Sequence, residues 1–178
     1  VYKNNDTPTP DTRVIDLQLD TNGNIWIAFE RQEAFRLDYN RYWWTIYKGL
    51  IFQCETRDGN LWFLSEDSGV VRYDGRHWIR YGEADGLISD PISLVVSQAD
   101  QVWAAGSHRG VAATGRFDGS RWLLETHPEL SWNVGIKAAF ASPDGSLWFG
   151  ASVSQAADRG HKGGILRFDG QTWPHFLP

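Results

Sequence analysis

The side chains that could bind or transform a ligand gather in three stretches of the chain. His108 and Arg109 follow Trp103 closely, and Gln155, Asp158, Arg159, His161 and Lys162 stand in the longer segment ASVSQAADRGHKGG. Between them, HPELSWNVG carries His127 and Trp132. Cations, a carboxylate, an amide and an indole suit a ligand of mixed polarity with a ring face to stack on. A metal site built from His108, His127 and His161 would need a ligand spacing the sequence lacks, and the run Asp20, Asn22, Asn24 has no distal Glu to complete a calcium loop. No metal or cofactor is therefore expected. Gly-x-Ser-x-Gly, His-Glu-x-x-His, Cys-x-x-Cys and a phosphate-cradling Gly-rich loop are all absent, so no catalytic residue is assigned.

These stretches interrupt a repeat that must position them. Four strands match one another: GNIWIAF around Trp26, GNLWFLS around Trp62, DQVWAAG around Trp103 and GSLWFGA around Trp148, with Trp spacings of 36, 41 and 45. Periods near 40 to 45 with a Trp in a fixed strand mark propeller blades of four strands each. A second marker follows each Trp and contains Arg36, Arg72, Arg116 or Arg167. An apolar alternating run precedes each Trp strand (VIDLQLD, FQCETRD, ISLVVSQ, IKAAFAS), and a further aromatic strand closes each repeat. Asp-Gly and Asn-Gly between strands supply the positive φ of tight hairpins. The expectation is an all-β propeller of four-stranded antiparallel blades, in which the four Trp are buried between blades and the four Arg pair with or stack on neighbouring blades.

Strand alternation puts the links between blades and the connection from second to third strand on one face, and most Asp-Gly turns on the other. From Trp to Arg the chain advances 10 residues in repeats one and two, 13 in repeat three and 19 in repeat four. Both insertions fall on the link face, and loop variation on one face of a rigid scaffold marks a binding side. His108, Arg109, Trp132, Gln155, Asp158, Arg159, His161 and Lys162 are accordingly the expected ligand-binding set. His77 and His175, in or beside the fourth-strand pattern, read as packing residues.

Composition narrows the partners. A net charge of -5 and a pI near 5.5 argue against binding nucleic acid through phosphate contacts. No stretch approaches the ~18 apolar residues of a membrane span, and no basic-then-apolar signal segment opens the chain. Cys54 stands alone, so no internal disulfide reports the compartment. The chain has no Met at all and reads as an excerpt or a processed product.

DGNLWF at Asp58 to Phe63, RYDGRHW at Arg72 to Trp78 and DGLISD at Asp85 to Asp90 resemble the two-component regulator propeller repeats of bacterial signalling proteins. Repeat one departs from that pattern with Asn40 where Gly would stand, and repeat three with Ala99 and Asp100 in its first turn. The resemblance spans the chain. It implies a ligand-sensing module with a periplasmic or extracellular location and no catalysis, whose ligand is a small molecule, a carbohydrate or a protein partner. A protein-interaction scaffold on a secreted or surface protein is the second class, and a propeller lyase or hydrolase the third. The expected organisation is one propeller segment over 1–178: the end of a preceding blade and its link at 1–13, then blades at 14–51, 52–90, 91–135 and 136–178. Such an arc is expected to belong to a larger ring, completed by further blades or by another copy.

Overall fold

Runs in which branched or aromatic residues alternate with polar ones pair readily into sheets, and short turns every few residues make meanders of them. In the computed structural model, which describes residues 2–4, 13–29, 33–128, 130, 139–151 and 163–176, the regular elements are strands apart from one 3-10 turn at Glu83–Asp85. After β1 (Tyr2–Asn4), blade one comprises β2 (Val14–Leu19), β3 (Ile25–Phe29), β4 (Glu33–Asp38) and β5 (Trp43–Lys48). Blade two comprises β6 (Leu50–Glu55), β7 (Leu61–Ser65), β8 (Val70–Tyr73) and β9 (Trp78–Tyr81). Blade three comprises β10 (Asp90–Val96), β11 (Val102–His108), β12 (Val111–Phe117) and β13 (Trp122–Thr126). Blade four comprises β14 (Ala139–Ala141), β15 (Leu147–Ala151), β16 (Gly164–Phe168) and β17 (His175–Phe176). All four sheets are antiparallel meanders, as propeller blades are.

Tyr2–Asn4 add a fifth strand to blade one, with Tyr2 opposite Ile46 and Asn4 opposite Trp44, and do not lie in a sheet preceding it. The outer edge of β5 offers unpaired N–H and C=O groups, and a short extended segment satisfies them. Strands of blades two and three begin at Leu50 and Asp90, slightly before the expected boundaries.

Each first hairpin has the same bonds. Thr56 N donates to Asn60 O at 3.0 Å and Gly59 N to Thr56 O at 2.8 Å, and Ser97, Gln101 and Asp100 repeat this at 2.9 and 3.0 Å. The fourth turn position needs positive φ: Gly59 has +81°, and Asp100 takes the same role at +62°, which a short polar side chain tolerates. In the second hairpin the Asp is a turn former. Asp74 Oδ1 accepts from His77 N at 2.6 Å and Arg76 N at 2.8 Å, and these N–H groups hold its carboxyl down at about 2. Asp118 and Asp169 do the same. Blade one differs: its outer hairpin runs one ladder pair further, with Asp38 opposite Trp43 beyond Leu37 and Trp44, and the residue at positive φ is Tyr42 (+51°), not Asn40.

Three apolar clusters weld the arc. Blade one meets blade two through Trp26, Tyr47, Phe52 and Phe63; blade two meets blade three through Trp62, Tyr81, Phe117 and Trp122; blade three meets blade four through Trp103, Phe149, Leu166 and Trp173. Every Trp lies directly opposite its Arg across the sheet (Trp26 and Arg36, Trp62 and Arg72, Trp103 and Arg116, Trp148 and Arg167), with the guanidinium carbon 5.5 to 5.9 Å from the ring. The arginines thus stack chiefly on their own blade's Trp, and Arg72 also lies over Phe117 of the next blade. Trp26, Trp62 and Trp103 are buried, whereas Trp148 is half-buried.

Candidate functional site

Among the described residues, the links between blades and the second-to-third-strand connections share one face, and a notch opens there between the outer strands of blades one and two. Gly49 is the only residue between β5 and β6, and its φ of +70° lets the chain reverse while its carbonyl accepts Glu66 N at 3.1 Å. A Cβ on Gly49 would stand 3.1 Å from the Glu66 carboxyl, so glycine keeps that side chain in place. The notch has a volume of about 380 Å3 and is lined by Lys48, Glu66, Asp67, Trp78 and Arg80 with Leu50 and Val71 beneath. Arg80 pairs with Asp67 and donates to Ser65 Oγ at 3.2 Å, while Ser65 Oγ donates to Asp67 at 2.8 Å. Trp78 stacks on Tyr73 at 4.5 Å and is 43% exposed, so part of an indole borders charges of both signs. A ligand with an apolar ring face and several donors and acceptors would meet partners for each.

The expected set is placed only in part. His108 and Arg109 lie on the link face at the hairpin between β11 and β12, beside the link from blade two to blade three. Arg109 N donates to Ser89 Oγ at 2.9 Å, its guanidinium is 4.0 Å from Glu83, and the buried His108 Nδ1 has no partner. Trp132, Gln155, Asp158, Arg159, His161 and Lys162 lie outside the described residues. His127 belongs to the core. Its Nε2 is 3.0 Å from Thr114 Oγ1 and its ring packs edge-on to Trp173, and burial, with His175 second, lowers its pKa to about 4. Among the described residues no cluster of three His, Cys, Asp or Glu could hold a metal ion.

Loop length does not point to Lys48, Glu66, Asp67 and Arg80, because blade two carries no insertion. The signal available was charge: an acidic pair in SEDSG faces a cationic strand end in YKG and another in WIRY. Two further grooves open on the opposite, turn face. One, between blades two and three, is lined by Trp62, Arg72, Asp58, Asp100 and Asp118; the other, between blades three and four, by Trp103, Arg116 and Glu125. The indole N–H of Trp62 and of Trp103 is buried without an acceptor, whereas Trp26 donates to Asp20 at 2.9 Å and Trp148 to Ser146 at 3.0 Å. Thr56 and Ser97 stand where blade one has Asp20.

No protein-family model and no curated protein matches the sequence. Solved structures do match. The extracellular domain of a candidate hybrid two-component system of Bacteroides thetaiotaomicron is 15% identical with a TM-score of 0.68, over 93% of this chain and 23% of that one. The extracellular domain of a candidate one-component system of the same organism is 17% identical with a TM-score of 0.65, over 93% of this chain and 24% of that one. A Bacteroides caccae protein of unknown function is 12% identical with a TM-score of 0.60, over 97% of this chain and 70% of that one. At these identities the likeness is one of fold, and this chain spans about a quarter of the length of the first two.

Proposed function

We propose that this chain is a ligand-recognition module of an extracytoplasmic receptor, without catalysis of its own, and that it reads a small amphipathic molecule or carbohydrate at the link face. The observation that carries this reading is the notch between blades one and two, where a half-exposed Trp78 borders Arg80, Lys48, Glu66 and Asp67. The fold shared with extracellular domains of candidate signalling systems supports it by analogy. The test is thermal stabilisation and calorimetry against a panel of neutral and acidic oligosaccharides and amino acids. A hit whose affinity falls at least about tenfold in Trp78→Ala and Arg80→Ala is expected, corresponding to about 1.4 kcal/mol or more. A panel without hits, or a hit indifferent to both changes, sinks the reading.

A second reading, a protein-interaction scaffold, is favoured by the outer hairpin of blade one. Tyr39 and Tyr42 are 57% and 67% exposed there, with ring centroids 5.6 Å apart. Capture of one defined protein partner that is lost in a Tyr39→Ser, Tyr42→Ser double variant would select it over the first.

A further inference from the structure

Every blade stacks an arginine on its Trp, and both side chains carry N–H groups that need an acceptor. The first hairpin turn of the blade is where that acceptor stands. In blade one Asp20, six residues before Trp26, accepts the indole N–H at 2.9 Å. In blade four Asp144, four residues before Trp148, accepts from the Arg167 guanidinium at 3.2 Å, while Ser146 takes the indole N–H at 3.0 Å. A carboxylate thus meets one member of the pair in each of these blades.

Blade three has neither acid. Ser97 stands in the place of Asp20 and Ala99 in the place of Asp144. Asp100, the remaining acid of that turn, is engaged with blade two, where it accepts from Arg57 N at 2.9 Å. Trp103 is 5% exposed and its Nε1 has no partner. Arg116 stacks on the Trp103 ring at 5.9 Å and makes no ion pair among the described residues. Both line the groove of about 470 Å3 between blades three and four, whose walls include Leu147 and Phe168. Its one lining carboxylate, Glu125, is exposed and bonded to neither. A buried donor left without an acceptor costs about 1–3 kcal/mol, so an incoming acceptor is strongly favoured there. The groove between blades two and three also has an unpartnered Trp N–H, but Asp58, Asp100 and Asp118 line it and would repel an anion.

We propose that the groove between blades three and four binds the carboxylate of an organic acid, which accepts from Trp103 Nε1 and pairs with Arg116 while its apolar body rests on Leu147 and Phe168. The carboxylate is the group that blades one and four place on the same pair from their own turns, so the ligand supplies what the Ser97 and Ala99 turn does not. Its two oxygens can each take one donor, and a guanidinium partner makes the bond charge-assisted. Apolar walls beside a small number of placed polar groups are the usual make-up of a small-molecule site. This site is on the turn face, opposite the notch at Trp78, and takes a different chemistry from it.

Titration of the 178-residue chain with phenylacetate, acetate and the neutral phenylacetamide, followed by the nuclear magnetic resonances of the indole N–H groups, tests this. The Trp103 resonance, identified by its loss in Trp103→Phe, is expected to move saturably with phenylacetate, more weakly with acetate, and not with phenylacetamide. Ala99→Asp restores the carboxylate that blade four sets beside its arginine, and it should raise the phenylacetate Kd at least about tenfold, as should Arg116→Gln. Trp78→Ala should leave that Kd unchanged, which separates this site from the link-face notch. Should Arg116→Gln lose its β spectrum, Ala99→Asp decides alone, because Ala99 is exposed in a turn that holds Asp at the same place in blades two and four. A Trp103 resonance that stays still up to about 50 mM phenylacetate would leave solvent as the acceptor of both donors and overturns the proposal. So would an equal response to phenylacetamide, acetate binding as tightly as phenylacetate, or a Kd indifferent to Ala99→Asp.

Discussion

Trp62 and Trp148 hold the same place in their blades, each opposite an arginine on the next strand, yet their surroundings diverge. Around Trp62 the next blade supplies Phe117 and Trp122 at 5.1 and 6.0 Å, and only 2% of the residue remains exposed. Trp148 has Phe176 of its own blade at 5.6 Å and stays half-buried. The hairpins beneath them match as well. What separates the two is the neighbour, so the energetic value of the Trp and Arg pair belongs to the interface and not to the blade.

The largest test of this contrast is truncation. Trp62→Ala should lower unfolding free energy by about 3–5 kcal/mol, the range for deleting a large aromatic from a packed core. Trp148→Ala, measured by denaturant titration, should cost about 1 kcal/mol. Equal losses would mean that the two flanks do not differ energetically.

Acidification probes the closed side again. His127, buried against Trp173, has a folded pKa of about 4 against an ordinary 6.5, so the unfolded chain takes up a proton that the folded one refuses. Stability contributed by the neutral ring is present above pH ~6.5 and is lost as pH falls toward ~4, a change of order 2 kcal/mol. His127→Gln should flatten the dependence of melting temperature on pH in that window. The turn carboxylates Asp74, Asp118 and Asp169, held at about 2, contribute in a separate window. Their contribution is present above about pH 4 and is lost as pH falls toward about 2. A melting temperature that is flat from pH 7 to 4 in the parent chain would remove the argument.

A gain of about 1 kcal/mol should follow from Ser97→Asp, which places a carboxylate where Asp20 accepts the Trp26 indole and gives the buried Trp103 N–H an acceptor. The denaturation midpoint should rise; a fall would show that the groove between blades three and four cannot admit the charge. The smallest effect is expected at Tyr42, whose φ of +51° is disfavoured for a bulky residue. Tyr42→Gly should stabilise by about 0.5–1 kcal/mol, read as a small rise in melting temperature. A loss instead would mean that packing against Tyr39 outweighs the backbone term.

Much of the candidate site escaped the sequence for a definable reason. His108 and Arg109 were legible because three extra residues stretch their hairpin. The Lys48, Glu66, Asp67, Trp78 and Arg80 notch spans two blades of ordinary length, and its residues are brought together from both sides of Gly49 by sheet packing. His127 could not be told from a surface ligand by spacing, because its burial comes from Trp173, which lies 46 residues further on in the sequence.

What the chain determined by itself is everything local. The apolar alternation, the turn residues with their positive φ and the Asp that ties each second hairpin are read within one repeat, where partners are a few residues apart and the backbone geometry admits few alternatives. Opposition of each Trp to its Arg follows from the same hairpin register. Tertiary structure decided the rest: which Trp is buried, where an indole N–H goes without an acceptor, which edge Tyr2–Asn4 join, and which charges line the notch. Those outcomes depend on what packs against a flank, and a flank's neighbour comes from another blade, beyond the reach of local pattern.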